Sequence, residues 1–514
     1  MQRALLQLSG PAGDWTFRQL ADCSQQWNKI NHNNMLRLLI TVVLVTAPAL
    51  FAPCQKPALD FFISDSSMIN ASAGVCVINT VSMETVIEHN SLKSLTPASI
   101  LKLITSASAL ETLGPGFTFR TTLGYTGTLD PVTGILTGDL VIKGGGDPAL
   151  GSDYFYDHYG NFIDKWVDIV TGRGIKTIEG KIIADDSRYD YQPVPARWQW
   201  EDTGNYYGAG AFGLSVFDNT CRVHLISSDS GSVPLIHYIK PPQYSYTFTN
   251  RLVSEGSSDR GYIFSAPYST SGWISGTIPV NNDDFVLKGS IADPPLLLAR
   301  ILDHRLDSAG IVIRNKPSTT RLEGSGNEAL LTPVAELISP PLEKIIDILN
   351  RESVNLYAEH LIKEMGIARF NEGTTAAGIK AVEEFLEKAG IPLSGMFIED
   401  GSGLSKVNGI NPEGMSRLLY YMKKESRFSD RFISSLPVAG KEGTLKNYFT
   451  DPVFDMRMRA KSGSMQRVRC YAGYLTTMAG NELAFCIMVN NYSGNPLRII
   501  KAIEQFLKEL MLYG

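Results

Sequence analysis

The chain has 514 residues and a formal net charge of −5, with 44% hydrophobic and 19% charged residues. This length exceeds what one hydrophobic core usually fills, so we expect two or three domains. The mildly acidic balance, without a basic run, argues against nucleic acid as a partner. Six cysteines without C-x-x-C spacing and seven histidines without a metal-ligand pattern predict no disulfide framework, no metal and no cofactor. Cys76 and Cys486 lie in apolar runs, where buried free thiols are expected.

Residues 1–56 are predicted to be an upstream extension followed by a secretion signal. The stretch before Met35 is polar and lacks periodicity, whereas an apolar run at 38–45 and small residues up to Ala52 follow it. This pattern is typical of a secretory signal and is too short for a transmembrane helix. We therefore expect translation to start at Met35 and the protein to be exported to the periplasm. Lipidation at Cys54 is an alternative that the preceding proline disfavours.

A hairpin and a helix are expected in the segment 57–118, which we predict to be the first part of the main domain. Alternating apolar residues predict the hairpin, and Pro97 suits the first position of a helix that ends at Gly114. The first turn of this helix carries Ser99 and Lys102 on one face. A lysine that burial and the helix dipole keep neutral can take the proton of a neighbouring hydroxyl. Taken alone, the pair equally describes an ordinary helical turn with a solvated lysine.

The residue pattern between 119 and 325 is typical of β-strands. Short alternating strands with glycine turns extend to about residue 187, and the segment 221–284 again has strands and tight turns. A helix is expected at 293–309. We predict that 119–325 forms one or two β-rich modules inserted into a larger domain, whose second part is 326–514.

Helical patterns return after the insertion, and the chain then ends in strands and one more helix. Four helices are expected, at 340–353, 355–366, 374–390 and 412–424. Strands are expected at 458–465, 470–477 and 482–491, before a last helix that begins at Pro496. The apolar stripe of that helix could contact a membrane surface or the sheet. Its glutamates favour the sheet, so we expect at most peripheral membrane contact.

Three short motifs occur in order along this framework. They are Ser99-Ile-Leu-Lys102, Ser353-Val-Asn355 and Lys461-Ser-Gly463. Each is weak alone, because Ser493-Gly-Asn495 also fits the second pattern and Lys143-Gly-Gly145 loosely fits the third. Together they resemble the signatures of the serine penicillin-recognising enzymes, which comprise penicillin-binding proteins and serine β-lactamases.

Further stretches of sequence narrow the resemblance to one family of these enzymes. The long β-rich insertion and the stretches GDLVIKGGGDPAL, DGSGLSKVNGINP and LPVAGKEGTLKNYF resemble the low-molecular-weight class C penicillin-binding proteins, the D-alanyl-D-alanine carboxypeptidase/endopeptidase family. The resemblance runs from about residue 60 to the end. It implies an α+β fold: a β-lactamase/transpeptidase-like domain, with an antiparallel sheet flanked by helices, interrupted by the insertion. One departure is Lys-Ser-Gly where Lys-Thr-Gly is commoner, and both keep the hydroxyl.

The resemblance also implies roles for the motif residues. Ser99 would attack the carbonyl of the penultimate D-alanine while neutral Lys102 takes its proton. Ser353 would relay a proton to the leaving amine, and Asn355 would orient the lysine and the substrate. Lys461 would supply positive charge.

Substrate binding is implied for a second group of residues. Ser462 would bind the terminal carboxylate on the strand that includes Gly463, and the N–H of Ser464 would complete an oxyanion hole with that of the nucleophile. Asp202 resembles the acidic residue that takes the amine of the third stem-peptide residue, with Tyr207 nearby. An aspartate beside two tryptophans could equally cap a loop.

The sequence therefore predicts a periplasmic serine-type D-alanyl-D-alanine carboxypeptidase that hydrolyses peptidoglycan stem peptides and is acylated by β-lactam antibiotics. Additional D,D-endopeptidase action, the diamino acid of the substrate and the oligomeric state stay open. One alternative is a β-lactamase or D-esterase on the same core, which would need a water-activating residue that we do not identify. Another is a catalytically inactive peptidoglycan-binding protein, against which the intact motifs count.

Overall fold

The structure is a computed structural model that describes residues 55–324 and 330–513. The predicted extension and signal, with Met35 and Cys54, lie outside the described residues. The helices of the described part are α1 (Gln55–Ser64), α2 (Lys102–Leu113), α3 (Tyr156–Tyr159), α4 (Phe162–Gly172), α5 (Trp200–Thr203), α6 (Pro294–Ser308), α7 (Thr320–Glu323), α8 (Leu342–Glu352), α9 (Asn355–Phe370), α10 (Thr375–Lys388), α11 (Pro412–Lys424), α12 (Ser429–Ser435) and α13 (Pro496–Tyr513).

The strands lie in three parts of the described chain, within 72–89, 120–338 and 458–490. They are β1 (Ser72–Asn79), β2 (Thr85–His89), β3 (Arg120–Tyr125), β4 (Thr128–Asp130), β5 (Ile135–Thr137), β6 (Leu140–Lys143), β7 (Thr177–Ile178), β8 (Ile182–Asp185), β9 (Thr220–Ser227), β10 (Leu235–Lys240), β11 (Thr247–Ser254), β12 (Arg260–Phe264), β13 (Ser271–Ile278), β14 (Asn282–Ser290), β15 (Val312–Ile313), β16 (Ser318–Thr319), β17 (Thr332–Ile338), β18 (Met458–Met465), β19 (Val468–Thr476) and β20 (Glu482–Asn490). Short 3-10 turns lie between them, at Ser66–Met68, Ala98–Leu101, Asp153–Phe155, Tyr206–Gly208, Phe217–Asn219, Gly443–Leu445 and Pro452–Phe454.

A five-stranded antiparallel sheet joins the two ends of the described chain. Its order is β18-β19-β20-β1-β2, so that the predicted hairpin β1–β2 pairs with the C-terminal strands. Every residue of β20 after Glu482 is buried, because helices or neighbouring strands cover this central strand on all sides. The hairpin, the final three strands and the α+β class are confirmed.

Helix α2 lies in the centre of the helical layer. It is buried from Lys102 to Leu110 and packs against α8, α9 and α10. The prediction of one α-helix from Pro97 is wrong in its first turn, which is a 3-10 turn at Ala98–Leu101. Ala98 has φ 47, a left-handed conformation that costs a residue with a Cβ roughly 1 kcal/mol. The helix ends at Gly114 as predicted.

The β-rich segment contains four further sheets. Their orders are β15-β7-β5-β4, β16-β8-β6-β3-β17, β10-β9-β14 and β11-β13-β12. Strand β17 follows the predicted boundary at residue 325 and pairs with β3, inside the predicted insertion. One hydrophobic cluster includes Leu103 of α2 as well as Leu140 and Trp166 of the β-rich segment. The domain boundaries themselves stay a prediction.

The later helices agree with the pattern of apolar residues. Helices were expected where α6, α8, α9, α10 and α11 lie, and the Asn411 side chain caps α11 by accepting from the N–H of Gly414 at 2.7 Å. The stripe of α13, formed by Ile499, Ile503, Phe506 and Leu510, is buried, and the helix packs against β19. The prediction that it covers the sheet is confirmed. The short helix α12 was not predicted.

Two further expectations concern cysteines and membranes. Cys76 and Cys486 are buried free thiols, as predicted, and face each other across β1 and β20. Within the described ranges, no helix combines the length and apolar character needed to cross a bilayer.

The contact between α9 and α10 generates a stability prediction. A Cβ at Gly378 would lie 2.0 Å from the carbonyl oxygen of Ile362, whereas a Cβ at Gly172 would meet no atom within 4 Å. Gly378→Ala should lower the free energy of unfolding by about 1–3 kcal/mol through overpacking, and Gly172→Ala should change it by less than about 0.5 kcal/mol. Denaturant unfolding of both variants measures this. Equal effects of the two substitutions would contradict the close packing of these helices.

Candidate active site

Five elements bring the three sequence motifs to one place. Ser99 lies in the 3-10 turn before α2, and Lys102 is the first residue of that helix. Ser353 ends α8 in a left-handed conformation with φ 60, and Asn355 begins α9 directly after it. Lys461 comes from β18, the edge strand of the five-stranded sheet.

Lys102 connects the first two motifs. Its ammonium nitrogen Nζ lies 3.0 Å from Ser99 Oγ, 2.6 Å from Asn355 Oδ1 and 2.7 Å from the carbonyl oxygen of Ser402. The side chain is fully buried, and loss of hydration lowers its pKa to about 7. A large fraction of Lys102 is therefore neutral near pH 7, in contact with the hydroxyl whose proton it would accept.

Lys461 connects the third motif to the second. Its Nζ donates to Ser353 Oγ at 2.9 Å and to the carbonyl oxygen of Ser462 at 2.9 Å. This lysine is also fully buried, so that burial, followed by repulsion from Lys102, holds its pKa well below the usual range. Two buried lysines thus flank the two serine hydroxyls.

The backbone of strand β18 closely approaches the turn that holds Ser99. A Cβ on Gly463 would lie 2.6 Å from the carbonyl oxygen of Pro97 and 3.2 Å from the amide nitrogen of Ser99. Only glycine allows this approach. The next residue, Ser464, is exposed in the same cavity as Ser99, while Ser462 Oγ donates to Thr444 Oγ1 at 2.7 Å. The structure thus places the residues predicted to bind the oxyanion and the carboxylate beside Ser99, and their roles, like that of Ser99, stay predictions.

Two buried carboxyl groups that the sequence interpretation missed support Lys102. Glu359 of α9 accepts from the N–H groups of Gly401 and Ser402 at 3.1 and 2.9 Å. Burial, and next the negative charge of Asp400, raises the pKa of Glu359 well above its usual range. Both carboxyl groups oppose the effect of burial on the pKa of Lys102.

Asp400 organises the loop that contacts Lys102. Its carboxylate accepts from the N–H groups of Gly403 and Ser405, both at 2.7 Å, from Asn408 Nδ2 at 2.9 Å and from Trp198 Nε1 at 2.8 Å. These bonds fix the loop whose Ser402 carbonyl accepts from the lysine. The DGSGLS stretch and the spacing of Glu359 four residues after Asn355 were the available signals.

A cavity of about 1210 Å³ opens above Ser99 and includes residues of the β-rich segment. Ser99, Asn355, Asp202 and Tyr207 line it, and Asn355 Nδ2 donates to the carbonyl oxygen of Tyr207 at 2.7 Å. The Tyr207 hydroxyl donates to the carboxylate of Asp202, whose pKa is raised by burial and next by Glu201. All predicted site residues therefore meet at or directly behind one cavity. No cluster of metal-ligating side chains occurs in the described part of the chain.

Comparisons with known proteins give matches over most of the chain. A family model described as D-Ala-D-Ala carboxypeptidase 3 (S13) matches residues 55–510. The D-alanyl-D-alanine carboxypeptidase of Actinomadura sp. (strain R39) is 27% identical over 464 residues, which cover 88% of this chain and 84% of the relative. The D-alanyl-D-alanine carboxypeptidase DacB of Haemophilus influenzae is 23% identical over 434 residues, or 83% of this chain and 87% of that protein.

A solved structure shows the same fold. The crystal structure of penicillin binding protein 4 (dacB) from Haemophilus influenzae has a TM-score of 0.75 at 23% identity, covering 88% of this chain and 98% of the other. The fold predicted from the resemblance is confirmed.

The carboxyl group of Glu359 generates a prediction about Lys102. Glu359→Gln removes an ionisable carboxyl group near the lysine, and the charged fraction of that group opposes the effect of burial, so we expect the pKa of Lys102 to fall further below about 7. Carbon NMR of isotopically methylated lysines across pH measures this titration. Glu387→Gln, at an exposed position of α10, is the matched control and should leave the titration unchanged. An unshifted Lys102 in the Glu359 variant would contradict the electrostatic coupling.

Proposed function

The chain belongs to the D-Ala-D-Ala carboxypeptidase 3 (S13) family and is therefore a serine-type D-Ala-D-Ala carboxypeptidase; we propose that Ser99 is its nucleophile and Lys102 its general base. The contact that carries the proposal is the 3.0 Å distance between Lys102 Nζ and Ser99 Oγ. Because the pKa of Lys102 is lowered to about 7, the amine can accept the serine proton as the oxygen attacks.

The acylation step uses both buried lysines. The Ser99 oxygen bonds to the carbonyl carbon of the penultimate D-alanine while its proton moves to Lys102. The carbon–nitrogen bond to the terminal D-alanine then breaks, and the proton held by Lys102 passes through Ser353, which contacts Lys461 at 2.9 Å, to the leaving amine, so that Lys102 is neutral again. Water then attacks the ester and gives a proton to Lys102, which returns it to the Ser99 oxygen as the carbon–oxygen bond of the ester breaks.

The terminal carboxylate of the substrate belongs next to Lys461 and Ser462 in this proposal. Burial and Lys102 lower the pKa of Lys461 in the free enzyme. An arriving carboxylate attracts positive charge, so we expect Lys461 to gain a proton as the substrate binds. Thr444, which accepts from the Ser462 hydroxyl at 2.7 Å, orients that hydroxyl. The N–H groups of Ser99 and Ser464 are assigned to the developing oxyanion.

We assign substrate recognition to the β-rich segment. The buried carboxylate of Asp202 is hydrogen-bonded to Tyr207. It is suited to bind an amine on the third residue of a peptidoglycan stem peptide. The apolar run after Met35 supports export to the periplasm, where such peptides occur. A β-lactam presents a strained amide to the same serine. A related Haemophilus influenzae structure, 22% identical to this chain, is described as complexed with a β-lactam.

Covalent labelling tests the nucleophile. Incubation with benzylpenicillin should add one penicilloyl group to the intact protein, as measured by mass spectrometry. Ser99→Ala should abolish the adduct, whereas Ser493→Ala should keep it, because Ser493 lies in an exposed turn. An adduct on the Ser99 variant would overturn the assignment. Rapid loss of the antibiotic without an adduct would favour a β-lactamase, and an unreactive protein would favour a binding protein.

The titration of Lys102 generates a pH prediction. The neutral amine is the active form, so the rate of acylation should rise with pH through about 7 and level off above it. Lys102→Arg places a permanent positive charge at this position, because the guanidinium cannot lose its proton, and should reduce the rate by about 10²–10⁴-fold at every pH. Stopped-flow acylation kinetics measure both effects. A flat pH profile of the unmodified enzyme would contradict the lysine base.

A further inference from the structure

Three cations form one row across the sheet β10-β9-β14. In the antiparallel register, Lys240 of β10 is opposite Arg222 of β9, and Arg222 is also opposite Lys288 of β14. Neighbouring strands are about 4.8 Å apart, so that the row spans roughly 10 Å. All three residues line the cavity that contains Ser99. We call them the cation row.

The protein neutralises the charge of the cation row only in part. Arg222 donates to Asp153 Oδ2 at 2.6 Å, but Asp153 is 75% exposed. The ammonium groups of Lys240 and Lys288 lie over tyrosine rings, at 5.5 and 5.8 Å. Within the described ranges neither lysine has a carboxylate partner. Like charges on directly opposite strand positions destabilise a sheet, so the row has a cost that an anionic ligand would offset.

One further carboxyl group of the cavity is already hydrogen-bonded within the protein. Asp218, which lines the same cavity, accepts from Ser152 Oγ at 2.9 Å and from the Tyr357 hydroxyl at 3.0 Å. Its oxygens are therefore engaged away from Lys240 and Lys288.

A series of contacts leads from the catalytic residues to the cation row. Asn355 Nδ2 donates to the carbonyl oxygen of Tyr207, and the rings of Tyr206 and Tyr207 are 5.4 Å apart. Lys288 Nζ lies over the Tyr206 ring at 5.8 Å, and an isolated bridge between Asn205 and Gly289 fixes the two segments together. A peptide that extends from Ser99 past Tyr207 would therefore reach the cation row. This is the side on which the proposed function places the third residue of the peptide.

We propose that Lys240, Arg222 and Lys288 form a subsite for a carboxylate that the substrate carries on the acyl side of the scissile bond. The inference rests on the proposed function, because it extends the same cavity. An amine at Asp202 and a carboxylate at the cation row would fix the direction in which the peptide binds. The ligand class is therefore an acidic peptide with a free carboxylate upstream of its amine-bearing residue.

Matched peptides test the subsite. Two synthetic peptides end in lysyl-D-alanyl-D-alanine and differ only in glutamate or glutamine before the lysine. The unmodified enzyme should prefer the glutamate peptide by about fivefold in kcat/KM, chiefly through KM, and the preference should shrink as salt rises. The double variant Lys240→Gln with Lys288→Gln should lose the preference. Lys316→Gln, at an exposed position that does not line the cavity, should keep it.

Two further measurements separate the subsite from the catalytic proposal. Benzylpenicillin should acylate the double variant at the unmodified rate, because the antibiotic lacks the upstream peptide. Calorimetry on the Ser99→Ala protein should show tighter binding of the glutamate peptide without any turnover. Equal binding of both peptides there, or a preference that survives in the double variant, overturns the subsite while leaving Ser99 chemistry intact. Absent acylation in the unmodified enzyme would instead overturn the proposed nucleophile.

Discussion

The burial of the Lys102 amine is the constraint on which the rest of the site depends. An exposed lysine would have its ordinary pKa of 10.5, and burial lowers that value to about 7 against the opposing charges of Asp400 and Glu359. Three acceptors satisfy the buried Nζ, from Ser99, Asn355 and the Ser402 carbonyl. A buried amine without them would cost several kcal/mol. The same hydrogen bonds that offset the cost of burial therefore also place the amine against the Ser99 hydroxyl.

This arrangement requires three backbone segments to meet at close range. A Cβ on Gly403 would lie 2.0 Å from the carbonyl oxygen of Ala98, and one on Gly463 would lie 2.6 Å from that of Pro97. The loop after Asp400 and strand β18 thus enclose the turn that holds Ser99. The left-handed conformation of Ala98 persists because the surrounding contacts determine it. The left-handed Ala98, the close backbone contacts at Gly403 and Gly463 and the buried Lys102 amine therefore depend on one another.

Features that local sequence determines were predictable. Alternation predicted the hairpin β1–β2, the apolar stripe predicted the packing of α13, and the spacing of Ser99 and Lys102 predicted their contact. The 3-10 turn at Ala98 was not predictable, since it depends on glycines far away in the chain. The support from Glu359 was missed for the same reason, because its partners Gly401 and Ser402 belong to a distant loop.

The site divides into a buried and an exposed half, and the two halves respond differently to change. Lys102 and Lys461 are fully buried, so replacing either disturbs groups whose interactions water does not screen. Lys240 and Lys288 are exposed, and an exposed charge contributes about 0.2–1 kcal/mol. In the proposed subsite, substitution of these lysines would therefore alter peptide binding in small steps, while the buried residues around Ser99 stay unchanged. On that proposal, specificity can change in the β-rich segment without loss of the chemistry at Ser99.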